Sequence, residues 1–248
     1  MFAPIRGFTA LQRTPQADLK LGTVLAFVAG AANAGGFLAV GQYTSHMTGM
    51  LSALADNLVL GQLALVGAGL ASVLAFVFGA MSTAWIVNWG LRRQLRSAYG
   101  LPLLVEAVLL LVFGLFGAAL SLWHTLILPV TVVLLCYIMG LQNAVITKIS
   151  KAEIRTTHLT GLVTDLGIEL GKLLYVNRHP GHTPVRANRD KLRLQARLVA
   201  SFFAGAVLGA LGFKYLGYVS TLPLAALLLL LVWRPVLADL VRRRPHSA

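Results

Sequence analysis

The chain has 248 residues, 57% hydrophobic and only 12% charged, with a mean hydropathy of +0.77, and that mixture excludes an ordinary water-soluble domain. Its 21 Lys and Arg against 8 Asp and Glu give a formal charge of +13, which in a soluble protein would point to nucleic acid. Here the bases fall between long apolar runs and act as topology signals at a membrane surface, so no nucleic acid is implied. One cysteine, Cys136, excludes an internal disulfide and a multi-cysteine metal cluster.

Residues 1–20 carry Arg6, Arg13 and Lys20 and precede an apolar run without a small-residue cleavage site. They are expected to be a cytoplasmic segment ahead of a retained helix rather than a signal peptide. A hydrocarbon core of about 30 Å takes roughly 20 helical residues. Runs of that order near 21–41, 63–90, 101–123, 126–147, 195–217 and 219–236 predict an all-α membrane protein with six transmembrane helices. Two segments, 45–61 and 157–175, are less apolar and hold Asp56, Asn57, Asp165, Glu169 and Lys172. They are expected to be short half-helices or interfacial helices.

Charge decides the count. With six spans and the N-terminus inside, Arg92, Arg93 and Arg96, then Lys148, Lys151 and Arg155, the stretch 172–197 and the tail 241–248 with Arg242, Arg243 and Arg244 all face the cytoplasm. Of the 21 bases only Lys214 then falls on the outer side. Eight spans would export 92–96 and 148–155 against that trend. The basic loop 176–193, with His179, the Pro180-Gly181 turn, His182 and Asp190, is expected to be a flexible cytoplasmic connection in contact with anionic lipid.

The chain repeats itself. Thr44-Ser45-His46-Met47-Thr48-Gly49 recurs as Thr156-Thr157-His158-Leu159-Thr160-Gly161, a shift of 112 residues. Apolar residues follow both copies at the same helical steps, so each motif opens an amphipathic helix. Asn33-Ala34 matches Asn143-Ala144 upstream, and Leu101-Pro102-Leu103 matches Leu222-Pro223-Leu224 downstream. The halves are 21–123 and 124–240, each holding three spans and one motif helix. An odd number of spans inserts the second half upside down, as in transporters whose discontinuous helices point their N-termini at a midplane site.

Gly36 through Gly49, Gly140-Leu141-Gln142-Asn143-Ala144 and Thr156 through Gly161 resemble the YoaK family of bacterial membrane proteins (domain of unknown function 1275) over almost the whole chain. The resemblance implies a multi-span protein of the bacterial inner membrane, here with both termini cytoplasmic, and no particular activity. It also implies an acidic residue where Asn33 stands and an Asn where Met50 stands. Those departures argue against proton coupling at position 33.

Within this frame Thr44, Ser45, Thr156 and Thr157 are expected N-caps of the motif helices. The remaining helix N–H groups with Thr48, Thr160, His46 and His158 form a candidate polar-solute or anion site, and Gly49 and Gly161 allow close backbone approach. Asn33 and Asn143 need partners in apolar spans, first another helix and second the solute. Gly35-Gly36 allows a break or a close contact. Glu106 is a candidate proton carrier, with pairing to Arg92 or Arg96 as the plainer alternative, and Leu227 stands at its counterpart position. Asp165, Glu169 and Lys172 read as a solvated helix face with local ion pairs. Two histidines without a third ligand do not make a zinc site, and no cofactor is expected. The absence of a Gly-rich phosphate loop, a GxSxG elbow and an HExxH sequence argues against an enzyme.

The expectation is a secondary transporter or facilitator of a small polar solute, anions included, working by alternating access. The rival is a non-transporting membrane scaffold whose motif helices are purely structural. The small-residue ladder Gly67, Ala71, Ala75, Gly79 suits packing within the chain or across a homodimer.

Overall fold

The computed structural model describes residues 15–120, 124–150, 154, 156–177 and 183–242. Expectations for Arg6, Arg13, Lys151, Arg155, residues 179–182, Arg243 and Arg244 lie outside those residues. Eight helices run in order: α1 (Pro15–Val40), α2 (Met47–Val59), α3 (Leu63–Arg92), α4 (Leu101–Leu120), α5 (His124–Ile149), α6 (Leu159–Leu174), α7 (Arg189–Leu216) and α8 (Thr221–Arg242). A single 3-10 turn, Gly217–Ser220, joins the last two, and there is no strand among the described residues.

Among the described residues four stretches are long and apolar enough to cross a membrane: Gln16–Val40, Leu63–Arg92, Val130–Ile149 and Arg189–Val241, the last running through α7, the turn and α8. Leu101–Leu115 of α4 is a shorter apolar stretch. The way α3 is buried shows what these helices face. Its buried residues Ser72, Ala75, Gly79, Thr83, Val87 and Gly90 form one stripe at steps of three and four. The rest of the helix is also apolar, yet Leu70, Leu74, Val77, Phe78 and Trp85 are exposed. A helix that is hydrophobic all round and buried on one stripe belongs in lipid. The chain is a membrane-embedded protein. Arg93 stacks over Trp89 at 5.1 Å and Arg234 over Trp233 at 5.4 Å, an aromatic-plus-basic pairing suited to a membrane–water interface.

The closest helix crossings come in matched pairs. A Cβ on Gly30 (α1) would run into the Phe202 carbonyl of α7, and one on Gly140 (α5) into the Phe76 carbonyl of α3. Gly205 meets the Phe27 carbonyl as Gly79 meets that of Tyr137. Gly209 abuts Ala31, while at the matching level Thr83 donates to the Leu141 carbonyl at 3.0 Å. Each pair relates by constant offsets between α1 and α5 and between α3 and α7. The small residues let backbones touch, which replaces the hydrophobic driving force that lipid cannot supply. The ladder in α3 is therefore used at Ala75 and Gly79 against α5, whereas Gly67 has open space around it.

These contacts also fix direction. Residue numbers rise together along α1 and α7, from Thr23 with Ser201 to Gly35 with Phe213, so the two run parallel. The same holds for α3 and α5, from Phe76 with Gly140 to Asn88 with Lys148. In contrast α1 and α5 are antiparallel, Gly22 lying against Ile146 and Gly36 against Leu135. So are α4 and α8, where Thr221 donates to the Leu110 carbonyl at 3.0 Å and Asp239 lies by Ser97. That buried Asp239 carboxylate accepts from the Arg96 and Ser97 backbone N–H groups and the Ser97 hydroxyl, at 2.7 to 3.0 Å. It clamps the α3–α4 connection to the end of α8.

The main core joins α1, α4, α5, α7 and α8 around Leu25, Val28, Leu103, Leu110, Ile138, Ile146, Leu198 and Leu228. Gly35-Gly36 does not break α1. Gly35 makes room for the Phe213 ring, Gly36 packs against Leu135, and the helix continues to Val40, where Gly41 at φ +72° ends it.

Candidate functional site

Both motifs adopt the same local structure. His46 precedes α2 and His158 precedes α6, with backbone angles of φ −93°, ψ 69° and φ −80°, ψ 51°. These histidines hold the cap positions, and neither helix start has a side-chain cap hydrogen bond. The expected capping by Thr44, Ser45, Thr156 and Thr157 is thus corrected. The Ser45 and Thr157 hydroxyls turn away to the preceding span instead, where a buried amide is a stronger claimant. Ser45 donates to Asn33 Oδ1 through its hydroxyl at 2.9 Å and its backbone N–H at 3.1 Å. Thr157 donates to Asn143 Oδ1 at 2.6 Å, and Asn143 Nδ2 donates to the Met139 carbonyl at 2.8 Å. Each Asn ties its own motif loop to its own span rather than bridging to another long helix. Thr44 and Thr156 are fully buried, and neither hydroxyl has a hydrogen-bond partner among the described residues. Without caps, the first N–H groups of α2 and α6 are free of intrahelical partners, the first such bonds being Met50 to His46 and Leu162 to His158.

One cavity of about 360 Å³ joins the two motifs. Asn33, Ser45 and His46 line it from the first half, Thr157 and Thr160 from the second. Tyr43, Leu159 and Phe202 complete the wall. Phe202 lies level with Gly30, near the middle of α1, while Tyr43, His46 and Thr160 are exposed, so the cavity is an open cleft on the side of the helix bundle. Its size falls within the range of small-molecule sites, roughly 300–1,000 Å³.

Other expected site residues are placed elsewhere. Thr48 and His158 are exposed, and neither lines the cavity. Nor does Asn143, which acts behind Thr157. Gly49 makes room for the imidazole of His46, which a Cβ would strike, whereas nothing approaches Gly161. Glu106 sits apart on α4, fully buried, with no hydrogen-bond partner for either oxygen among the described residues. The expected pairing with Arg92 or Arg96 is not formed. Tyr43, Leu159 and Phe202 were not anticipated as lining residues. Tyr43 adjoins the motif and stacks on Phe37 at 4.5 Å, but an aromatic beside a polar motif is a weak signal in an apolar sequence.

The expected solvated face with local ion pairs holds for Asp165, whose side chain is 43% exposed, and for the Lys172–Glu169 pair, but not for the Glu169 carboxylate itself. Glu169 is buried and accepts from Lys172 at 2.9 Å and from the Asn188 backbone N–H at 2.7 Å. Asp165 accepts from Gln195 at 3.0 Å and pairs with Lys191 at 3.1 Å. The two carboxylates latch α6 to the start of α7, where Asn188 caps the helix through the Asp190 and Lys191 N–H groups. The Lys172 hydrogen bond, then that from Asn188, holds the Glu169 carboxyl below the usual carboxylate range.

A family model described as a protein of unknown function matches residues 21–233, from within α1 to within α8. The chain belongs to the DUF1275 family. No curated protein and no solved structure matches it.

Proposed function

We propose that this DUF1275 protein is a secondary transporter or facilitator of a small polar solute, and not an enzyme. Its six full spans are α1, α3, α4, α5, α7 and α8, arranged as two inverted halves in the bacterial inner membrane with both termini cytoplasmic. Support for the inversion comes from the sequence-matched pairs α1 with α5 and α4 with α8, which run antiparallel, while α1 and α7 run parallel. A two-fold axis across the bundle relates such pairs, and α2 and α6 are then half-helices entering from opposite sides.

The observation that carries the reading is the shared cavity, where polar groups of both motifs face one space in an otherwise apolar bundle. In an alternating-access cycle the Asn33–Ser45 and Asn143–Thr157 bonds keep each motif loop with its own span as the halves rock. The basic start of α7, with Arg189, Lys191, Arg193 and Arg197, contacts anionic headgroups at the inner surface. Uptake into proteoliposomes of a pool of labelled small solutes tests the reading. Transport that falls at least tenfold with His46→Ala plus Thr160→Val, and little with His158→Ala, supports it; no uptake of any solute by the wild type, with a stoichiometric protein partner copurifying, favours the scaffold.

That second reading has its own support. The Ser45 and Thr157 hydroxyls are each satisfied within the protein, as sealed helix breaks in a scaffold require.

A further inference from the structure

Two amides fix where the hydroxyl protons of the cavity point. A backbone N–H can only donate, so the Asn33 atom that meets the Ser45 N–H at 3.1 Å is oxygen, and the Ser45 hydroxyl 2.9 Å from the same atom donates too. Asn143 is oriented from its other end. Its Nδ2 donates to the Met139 carbonyl, which leaves Oδ1 to accept the Thr157 hydroxyl at 2.6 Å.

Ser45 and Thr157 both line the cavity, and with their protons committed they offer a ligand lone pairs only. Asn33, its oxygen already taken twice, offers amide N–H. The Thr160 hydroxyl serves either way. Among the described lining residues there is no Lys, Arg, Asp or Glu, and His46 is the one side chain able to carry positive charge. The lining thus presents fixed acceptors as well as donors.

A carboxylate or phosphate brings acceptors alone. It would suit Asn33 and the free N–H groups at the start of α6 but set negative oxygens against the Ser45 and Thr157 lone pairs, with no fixed cation among the described lining residues to offset the loss of hydration. A molecule with hydroxyl or amide N–H groups satisfies both sets. Resting on the solute-binding reading above, we infer that this cavity takes an uncharged small molecule carrying its own hydrogen-bond donors, a polyol or small amide, and discriminates against small carboxylates.

Thermal unfolding of the full-length protein in detergent, with erythritol, acetamide, lactate or acetate at equal concentration, tests this against Thr160→Val. That substitution keeps shape and branching but removes a lining hydroxyl. Polyols stabilise proteins non-specifically by exclusion, so the readout is the difference between wild type and variant. The uncharged probes should stabilise the wild type more than the variant, with apparent affinity about fivefold weaker in the variant, and the carboxylates should show no difference. Carboxylates that shift the wild type selectively while the uncharged probes do not would overturn the inference and leave transport of an anion standing. No selective shift by either class would overturn the inference and the solute-binding reading together.

Discussion

The two motif regions use one sequence device and end in different mechanical states. Both anchor the loop before a short helix through an amide in the preceding long helix, Asn33 with Ser45 and Asn143 with Thr157. Beyond the anchor they diverge. A three-residue connection, 60–62, leads from α2 to α3, and exposed Leu58, Val59, Leu60 and Leu63 surround it. The longer connection after α6 returns under a polar latch of Glu169, Lys172 and Asn188, with Asp165, Lys191 and Gln195 beside it. The two motif regions share what positions their loops and differ in what holds the far end of α2 and α6.

The largest effects should come where the halves are most alike. Gly30→Ala and Gly140→Ala each place a methyl group into a facing backbone carbonyl, and each should cost about 1–3 kcal/mol or prevent folding, by thermal unfolding in detergent. A severe effect in one and none in the other would break the pairing of α1–α7 with α5–α3.

The latch sharpens the difference. Because the Glu169 carboxyl is held below its usual range, its contribution is present above the ordinary carboxylate pKa, about pH 4, and is lost as pH falls through the lowered value. Hydrogen-exchange protection at the C-terminal half of α6, taken relative to the intrinsic rate at each pH, should therefore fall in acid, and Glu169→Gln should be poorly protected at every pH. The C-terminal half of α2, with no such latch, should not follow.

Smaller and equal effects are expected from the anchors. Asn33→Ala and Asn143→Ala should each lower stability by about 0.6–1 kcal/mol, in the range of membrane hydrogen bonds. The glycines should then separate the halves once more. Gly49→Ala displaces the His46 ring and should weaken solute binding, whereas Gly161→Ala meets open space and should stabilise α6 by a few tenths of a kcal/mol, up to about 1.

Much of the fold was legible because lipid enforces simple rules: apolar length gives helices, and a duplicated Asn and motif mark equivalent positions. The register of α1 on α7 was half visible in Gly205 and Gly209, but which helix they would touch depends on tertiary pairing that periodicity does not encode. The caps were misjudged because Ser45 and Thr157 could satisfy either a helix end or a buried amide, and the amide, twelve or fourteen residues upstream, won. The spacing of Asp165, Glu169 and Lys172 gave the local Lys172–Glu169 pair but not the burial of Glu169, since Asn188, Lys191 and Gln195 come from the start of the next helix. Asp239 gave no signal, as its three donors lie at the far side of the sequence.

The opposed entry of the two half-helices is tested most directly by an impermeant thiol reagent on intact cells. Cys136 is fully buried and gives little background, so Gln62→Cys after α2 and Val185→Cys before α7 can be labelled one at a time. The account predicts reaction at 62 from outside, and at 185 only after the membrane is opened. Labelling of both positions from the same side would contradict it.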